Sequence, residues 1–193
     1  MIVCVYGASS SHIEDFYIEK CQKLGKMLAE RGHDLVFGAG GEGLMGATAE
    51  GIKLGGGKVH GVIPKFFEEN GYEGIFKLCD KITRTETMAE RKAIMENECK
   101  AFIIVPGGNG TFEEFFQALT LKQLGRHTKP IALYNVNGYY DKLDQFLSDC
   151  VEKGFIRKEC KKLYKIFDRE EQLIEYIENY KSSDVDWSIL KRN

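Results

Sequence analysis

Short apolar runs alternate with longer segments of helical periodicity along almost the whole chain. The runs at 2–6 and 101–105 are nearly uninterrupted, which is typical of strands buried on both faces of a sheet. Several runs end at glycine or proline, and the segments that follow repeat their apolar residues every three or four positions. This alternation predicts an α/β fold built on a single, doubly wound parallel sheet.

The pattern predicts strands at 2–6, 34–37, 59–63, 81–83, 101–105, 131–134 and 163–167. It predicts helices at about 14–30, 43–54, 87–98, 112–124, 140–153 and 169–180, and leaves 65–79 irregular. Residues 1–180 are expected to form one domain. Residues 181–193, with Trp187, are expected to form a surface tail or an oligomer contact. Ligands bind at the carboxyl ends of such strands, so the loops 7–12, 38–46 and 106–111 are expected to meet there.

Composition narrows the class of partner. The 193 residues carry a net charge of -2, so no overall basic field favours nucleic acid or an anionic membrane. The chain starts directly with a strand, and no run reaches the roughly 18 apolar residues of a membrane helix. The six cysteines form no C-x-x-C motif and are expected to be free thiols, which favours a soluble, cytoplasmic protein.

The segment 106–114, Pro-Gly-Gly-Asn-Gly-Thr-Phe-Glu-Glu, follows the most apolar strand and leads into a helix. Backbone N–H groups and the helix dipole at such a turn attract an anion such as a phosphate. Glu113 and Glu114 add carboxylates beside that position. The segment therefore indicates a site that binds a phosphate and performs acid–base or cation-stabilising chemistry next to it.

A capping box is the purely structural explanation of the same segment. Thr111 as N-cap would bond the helix start, and Glu114, three residues later, would bond the Thr111 backbone N–H. A cap does not require the three preceding glycines, which leave the backbone bare, and these glycines favour a functional role.

Residues 38–43 fit G-x-G-x-x-G, the dinucleotide-binding pattern, after a strand. That pattern also requires an acidic residue at the end of the next strand, where this chain has Pro64 and Lys65, so NAD binding is not favoured. Gly40 and Gly41 are instead expected to approach a smaller ligand. Tight packing of strand against helix, without ligand contact, is the alternative.

Arg91 and Lys92 lie near the start of the helix that precedes the central strand. Adjacent helical residues point about 100° apart, so at most one faces inward unless the helix end borders the cleft. By itself the pair is typical of a solvated charged face. The four histidines are scattered without a partner at metal-ligand spacing, so no metal site is expected.

Segment 106–114 resembles the P-G-G-x-G-T-x-x-E motif of the LONELY GUY (LOG) family, which comprises cytokinin-activating phosphoribohydrolases and their bacterial relatives. Residues 88–92, Met-Ala-Glu-Arg-Lys, are similar to its M-x-x-R-K motif, and residues 40–46, Gly-Gly-Glu-Gly-Leu-Met-Gly, resemble its glycine-rich segment that ends in G-L-M-G. The resemblance covers about residues 1–180. Ala39 departs from it, because relatives commonly have glycine there.

The resemblance implies a Rossmann-like domain that forms homodimers and uses no cofactor. It implies hydrolysis of the N-glycosidic bond of AMP or N6-modified AMP, which yields the free base and ribose 5-phosphate. Arg91 and Glu114 match the family's catalytic positions. The residues expected to bind substrate are Met88, Lys92, Gly107, Gly108, Asn109, Gly110, Thr111, Phe112, Glu113 and Thr120, together with Gly40 and Gly41.

Other classes stay open at this point. A non-catalytic nucleotide-binding or sensing protein would share the fold, although it would have no use for both Arg91 and Glu114. An NAD-dependent oxidoreductase would need the missing acidic residue. A PLP-dependent decarboxylase would need a Schiff-base lysine, and no lysine stands out in the sequence.

Overall fold

The computed structural model describes residues 1–69 and 74–184, which contain one seven-stranded sheet whose strands are all parallel. The strands are β1 (Ile2–Tyr6), β2 (Asp34–Phe37), β3 (Val59–Pro64), β4 (Lys81–Thr85), β5 (Ala101–Ile104), β6 (Ile131–Tyr134) and β7 (Lys165–Phe167). The helices are α1 (Asp15–Glu30), α2 (Gly43–Leu54), α3 (Lys65–Glu69), α4 (Met88–Glu98), α5 (Asn109–Gln123), α6 (Asp141–Glu152) and α7 (Glu170–Asn179). The predicted fold class is confirmed.

Helices cover both faces of the sheet, because the side chains of each strand alternate between two apolar layers. On β1, Val3 and Val5 point into a layer with α1, α2 and α7. Cys4 and Tyr6 point into a second layer with α4, α5 and α6. Burial on both faces explains why the strands read as nearly continuous apolar runs.

The strand order is β4-β3-β2-β1-β5-β6-β7, so the direction of winding reverses between β1 and β5. Loops that leave these two strands diverge to opposite faces and open a crevice at the carboxyl edge. The Ala8 N–H donates to the Pro106 carbonyl over 3.0 Å, and the Leu44 N–H donates to the Ala8 carbonyl over 2.9 Å. The three loops expected to meet at this edge therefore do meet.

Two element boundaries differ from the prediction in ways that matter for function. Helix α5 begins at Asn109, three residues before the predicted start, and a short helix, α3, lies in the segment predicted to be irregular. The predicted tail falls mostly outside the described residues, which end at 184 after a short 3-10 turn, Ser182–Asp184. No helix in the described ranges is long and apolar enough to cross a membrane.

Candidate active site

A cleft of about 360 Å³ opens at the winding reversal between β1 and β5. The loop after β1, the start of α4 and the start of α5 form its walls. Met45 and Phe67 add apolar surface to these walls. The described residues that line the cleft are Gly7, Ala8, Ser9, Ser10, Met45, Phe67, Met88, Arg91, Gly108, Asn109, Gly110, Thr111, Glu113 and Glu114.

The N-terminus of α5 is bare at the cleft. Its N-cap is Gly108, with φ −92° and ψ −151°, and no side chain caps the helix. The first N–H groups of any helix lack intrahelical acceptors, so this terminus presents backbone donors and a partial positive charge to the cleft. Gly107 must be glycine here, because an added Cβ would lie 2.1 Å from Thr111 Oγ1 and 2.8 Å from the Ala8 nitrogen.

The capping-box explanation of Thr111 and Glu114 is wrong. Thr111 is the third residue inside α5 and not its N-cap, since the helix already begins at Asn109. A Glu at N3 is what the capping box requires, and Glu114 lies three residues beyond that position. Glu114 therefore does not cap the helix, and capping no longer explains its presence as an alternative to catalysis.

Adjacent carboxylates on α5 face different surroundings. Glu114 is buried, with 8% of its surface exposed, and it lines the cleft. Glu113 is exposed at the rim, where its carboxylate accepts a hydrogen bond from Lys92 Nζ. The side chain of Lys92 is 13% exposed, so this ion pair joins α4 to α5 beside the cleft. Glu114 is thus the carboxylate that the protein shields from water.

Arg91 is buried, and backbone carbonyls hold its guanidinium. Its Nε donates to the Val62 carbonyl over 3.2 Å, and its Nη2 donates to the Gly38 carbonyl over 3.1 Å. The Phe67 ring lies 5.6 Å from its Cζ. Among the side chains that the structure describes, no carboxylate lies within ion-pair distance of the guanidinium. A buried cation with no counter-ion among the described side chains favours an anionic ligand, and Arg91 lines the cleft where one would bind.

Helix α4 is fixed at its start, and this fixes where Arg91 points. Thr87 is the N-cap, and its hydroxyl accepts a hydrogen bond from the Glu90 N–H over 3.1 Å. The Glu90 carboxylate in turn accepts from the Glu86 N–H over 2.8 Å. Because the helix begins at the cleft, Arg91 faces inward while Lys92 turns towards Glu113. The interpretation of both residues as a solvated face is wrong for Arg91.

The phenol of Tyr6 lies in the apolar layer beneath α5 and is 1% exposed. Burial raises the pKa of Tyr6 well above its ordinary value, and negative charge on Cys4 and Glu114 acts in the same direction. The group behind the cleft therefore stays neutral at physiological pH.

The structure brings eight predicted site residues to the cleft: Met88, Arg91, Gly108, Asn109, Gly110, Thr111, Glu113 and Glu114. Lys92 stands next to it, bound to Glu113. Gly107 faces a neighbouring hollow, where its carbonyl accepts from Tyr139 Oη over 2.8 Å. Phe112 packs in the core, 6.4 Å from the Tyr140 ring. Thr120 is exposed, farther along α5.

Gly40 and Gly41 lie beside the segment 74–76 and are not among the cleft residues. Gly40 forms an isolated bridge with Ile75, and the Gly41 N–H donates to the Gly74 carbonyl over 2.7 Å. An added Cβ on Gly41 would lie 3.1 Å from that carbonyl oxygen. These contacts join the loop after β2 to segment 74–76 and differ from the packing of strand against helix that was the alternative; ligand contact by Gly40 and Gly41 stays a prediction.

Six residues that line the cleft were not predicted individually as site residues: Gly7, Ala8, Ser9, Ser10, Met45 and Phe67. The Gly-Ala-Ser-Ser-Ser run after β1 was a usable signal, since small residues after the first strand lie at the winding reversal. Phe67 gave no signal, because it lies in a segment without periodicity.

A lysine in the cleft or a group of possible metal ligands would indicate a different kind of chemistry. None of the described residues that line the cleft is a lysine, which a Schiff-base enzyme requires. Across the described ranges, no three His, Cys, Asp or Glu side chains are grouped so that they could hold a metal ion.

Known proteins resemble this chain in sequence. The family described as possible lysine decarboxylase matches residues 45–177. The chain is 38% identical over 178 residues to cytokinin riboside 5'-monophosphate phosphoribohydrolase LOG2 of Arabidopsis thaliana, covering 92% of this chain and 83% of that protein. It is 40% identical to the probable cytokinin riboside 5'-monophosphate phosphoribohydrolase LOGL9 of Oryza sativa subsp. japonica, covering 92% and 78%.

Solved structures resemble it in fold. The molybdenum cofactor carrier protein of Chlamydomonas reinhardtii aligns with a TM-score of 0.69 and 22% identity, covering 92% of this chain and 95% of that one. At this level of identity the likeness shows a common fold and carries no argument about ligands.

Proposed function

Because this chain belongs to the LONELY GUY family, whose members match the description possible lysine decarboxylase, we propose that it is a phosphoribohydrolase. It hydrolyses the N-glycosidic bond of adenosine 5′-monophosphate, with or without a substituent on N6, to the free base and ribose 5-phosphate. The observation that carries this proposal is a buried cation, Arg91, and a buried carboxylate, Glu114, on one cleft beside the bare N-terminus of α5.

The N-terminus of α5 binds the 5′-phosphate in this proposal. Gly108 and Gly110 leave the backbone accessible, since an added Cβ on either would meet no atom within 4 Å. Backbone donors and the helix dipole suit a single phosphate group. The described lining of the cleft holds no lysine that could follow a longer phosphate chain. The phosphate thus supplies binding energy remote from the bond that breaks.

Glu114 acts at the ribose. Cleavage of the N-glycosidic bond develops positive charge on the sugar ring, and a carboxylate nearby stabilises that charge. As a general base, the same group accepts a proton from the water that attacks C1′, while the base leaves with the bonding electrons and is protonated. Burial strengthens both effects, because a charge is less screened away from water.

Arg91 orients the substrate. Two backbone carbonyls, of Gly38 just after β2 and of Val62 on β3, hold its guanidinium, so the cation needs little rearrangement to meet an anionic substrate. Gly38 must be glycine for this contact, since an added Cβ would lie 1.6 Å from Arg91 Nη2. Lys92 adds attraction at the rim once Glu113 releases it.

A substrate comparison tests the proposal. Purified protein is incubated with AMP, N6-isopentenyl-AMP, adenosine and ATP, and the free base is measured by liquid chromatography. At least one monophosphate should release base, and adenosine and ATP should react far more slowly because they lack a single terminal 5′-phosphate. Equal rates for adenosine and AMP would contradict the phosphate site, and no release from any substrate would contradict the enzyme.

The protein acts as a cytoplasmic homodimer in this proposal. All six cysteines are free thiols, which supports a reducing compartment. On the outer face of α5, Phe116 is 37% exposed and Leu124 is 62% exposed, and Thr120 lies between them at helical spacing. This stripe supports a contact with a second copy, and sedimentation velocity of Leu124→Glu against the wild type measures it.

A further inference from the structure

A basic segment lies far from the catalytic cleft in sequence and is not used by the proposed reaction. Residues 157–165 contain five lysines or arginines and one carboxylate, in a chain whose net charge is -2. They form the 3-10 turn Lys158–Lys162 and lead into β7, which is the edge strand of the sheet. A local basic excess in an acidic chain marks a surface suited to an anion.

A hollow of about 480 Å³ lies between this segment and the C-terminal end of α7. It shares no lining residue with the catalytic cleft among the described residues. Three lysines and three tyrosines make up most of its wall, and they are Lys161, Lys162 and Lys165 with Tyr164, Tyr176 and Tyr180, completed by Asn179.

The lysines of the hollow differ in how far their charge is compensated. Lys161 Nζ binds the Asp144 carboxylate and donates to Ser148 Oγ over 3.2 Å. Lys162 and Lys165 form no ion pair with any described residue, and Lys165 Nζ lies 5.2 Å from the centre of the Tyr176 ring. Two ammonium groups therefore face the hollow without a counter-ion in the described part of the chain.

A third cation lies behind the hollow. Lys122, on α5, is fully buried, and its Nζ is 4.7 Å from the centre of the Tyr180 ring, which also lines the hollow. That ammonium donates to the Leu163 carbonyl over 2.8 Å and has no carboxylate partner within the described ranges. Negative charge placed in the hollow would stabilise the charged form of Lys122, which has no counter-ion among the described residues.

We propose that this hollow is a second nucleotide site, specific for a nucleoside that carries several phosphates. Separate ammonium groups suit a chain of phosphates, because each lysine is a point charge that can follow one phosphate of the chain. Tyr176 supplies aromatic surface for the base. The catalytic cleft has the opposite design, with backbone donors for one phosphate and no lysine in its described lining.

Calorimetric titration with ATP tests the site on the full chain. The Arg91→Ala variant should bind ATP as the wild type does, because the catalytic cleft is not involved. The double variant Lys162→Gln, Lys165→Gln should bind ATP about tenfold or more weakly, on the scale of two charge-assisted contacts. Its matched control is Lys58→Gln, Lys100→Gln, two exposed lysines outside the hollow, which makes the same change in net charge and should leave ATP binding unaltered.

Inorganic tripolyphosphate separates a nucleotide site from a simple polyanion site. ATP should bind at least about fivefold more tightly than tripolyphosphate, because only ATP has a base that can stack on Tyr176. Tyr176→Leu should remove that preference. Three results would each overturn the proposal. They are no ATP binding to the wild type, loss of ATP binding in Arg91→Ala but not in the double lysine variant, and equal affinity for ATP and tripolyphosphate. Base release from AMP, measured on the same preparations, reports separately on the catalytic function.

Discussion

At the residue scale, Glu113 and Glu114 are neighbours with different surroundings, and this difference is testable. Glu114→Gln keeps the shape and the hydrogen-bonding capacity of the side chain but removes its charge. We expect turnover to fall by about 10² or more, the scale of losing a general base, with little change in melting temperature. Steady-state kinetics and thermal unfolding on the same preparation measure both quantities.

Glu113→Gln is the matched control for that experiment. It makes the same chemical change one residue earlier on α5, at the exposed rim where Glu113 binds Lys92. Turnover should change less than about threefold, and any effect should appear in KM, as expected for a group that contributes binding without stabilising the transition state. Full activity in Glu114→Gln, or an equal loss in both variants, would remove Glu114 from the mechanism.

Substitutions of Arg91 and Lys92 are expected to change different kinetic constants. Arg91→Ala removes the buried cation that faces the cleft, so kcat should fall by about 10² or more. The protein should stay folded, because no described carboxylate loses an ion-pair partner when Arg91 is removed. Lys92→Ala should chiefly raise KM, since its charge attracts the substrate similarly in the ground and transition states. Wild-type kcat and KM in both variants would show that neither residue takes part in binding or catalysis.

The sequence could not show which of these two cations faces the cleft. The 100° rotation between neighbours requires only that one of them turn away, and Arg91 was selected by its match to the family motif. The inward direction is set by the start of α4 at Thr87 and by two carbonyls, Gly38 and Val62, that lie 53 and 29 residues away along the chain. Contacts between residues so far apart along the chain leave no periodic pattern in the local sequence.

At the element scale, the strands were the most predictable part, because burial on both faces leaves continuous apolar runs. Boundaries set by backbone conformation were less predictable. Thr111 and Glu114 have the spacing of a capping box, yet α5 starts earlier because Gly108 takes the N-cap conformation. Sequence cannot distinguish the two starts, since glycine and threonine are both good N-cap residues. The helix start at the cleft is bare, as predicted, but its first turn holds no acidic residue and Glu114 lies one turn farther along; phosphate binding at this site stays a prediction.

The contact between α1 and α2 depends on glycines that the sequence pattern did not single out. An added Cβ on Gly51 would lie 2.0 Å from the Gln22 carbonyl oxygen, and one on Gly25 would lie 2.2 Å from the Thr48 carbonyl oxygen. Backbone cannot yield as a flexible side chain can. The two helices therefore approach closely only because both positions lack a side chain.

Gly51→Ala should destabilise the fold by about 1–3 kcal/mol, the usual cost of overpacking, even though alanine is the better helix former by about 1 kcal/mol. Chemical denaturation measures the loss. Glu50→Ala is the control, because Glu50 is exposed on the same helix and should change stability by less than about 0.5 kcal/mol. If Gly51→Ala left the free energy of unfolding unchanged or raised it, α1 and α2 could move apart without loss of stability.

At the scale of the whole molecule, stability should depend on pH through one buried lysine. Burial lowers the pKa of Lys122 from its ordinary 10.5 to about 7. The folded protein therefore disfavours the charged form, and between pH 7 and 10.5 the unfolded chain binds more protons than the folded one. The free energy of unfolding should rise with pH across this window. Below pH 7 both states are protonated and the full cost of burial remains.

Comparison with Lys122→Met isolates this contribution, because methionine keeps much of the length of the side chain and removes the charge. The variant should be the more stable protein at pH 6, and its advantage should shrink by roughly 2–3 kcal/mol between pH 6 and pH 9. Other groups, including His127, whose pKa burial lowers to about 4, titrate in both proteins or outside this range. Denaturation curves at several pH values, without nucleotide, give the difference directly. Parallel pH profiles for the two proteins would show that Lys122 keeps its ordinary pKa, and the buried charge behind the second nucleotide site would then be solvated by other means.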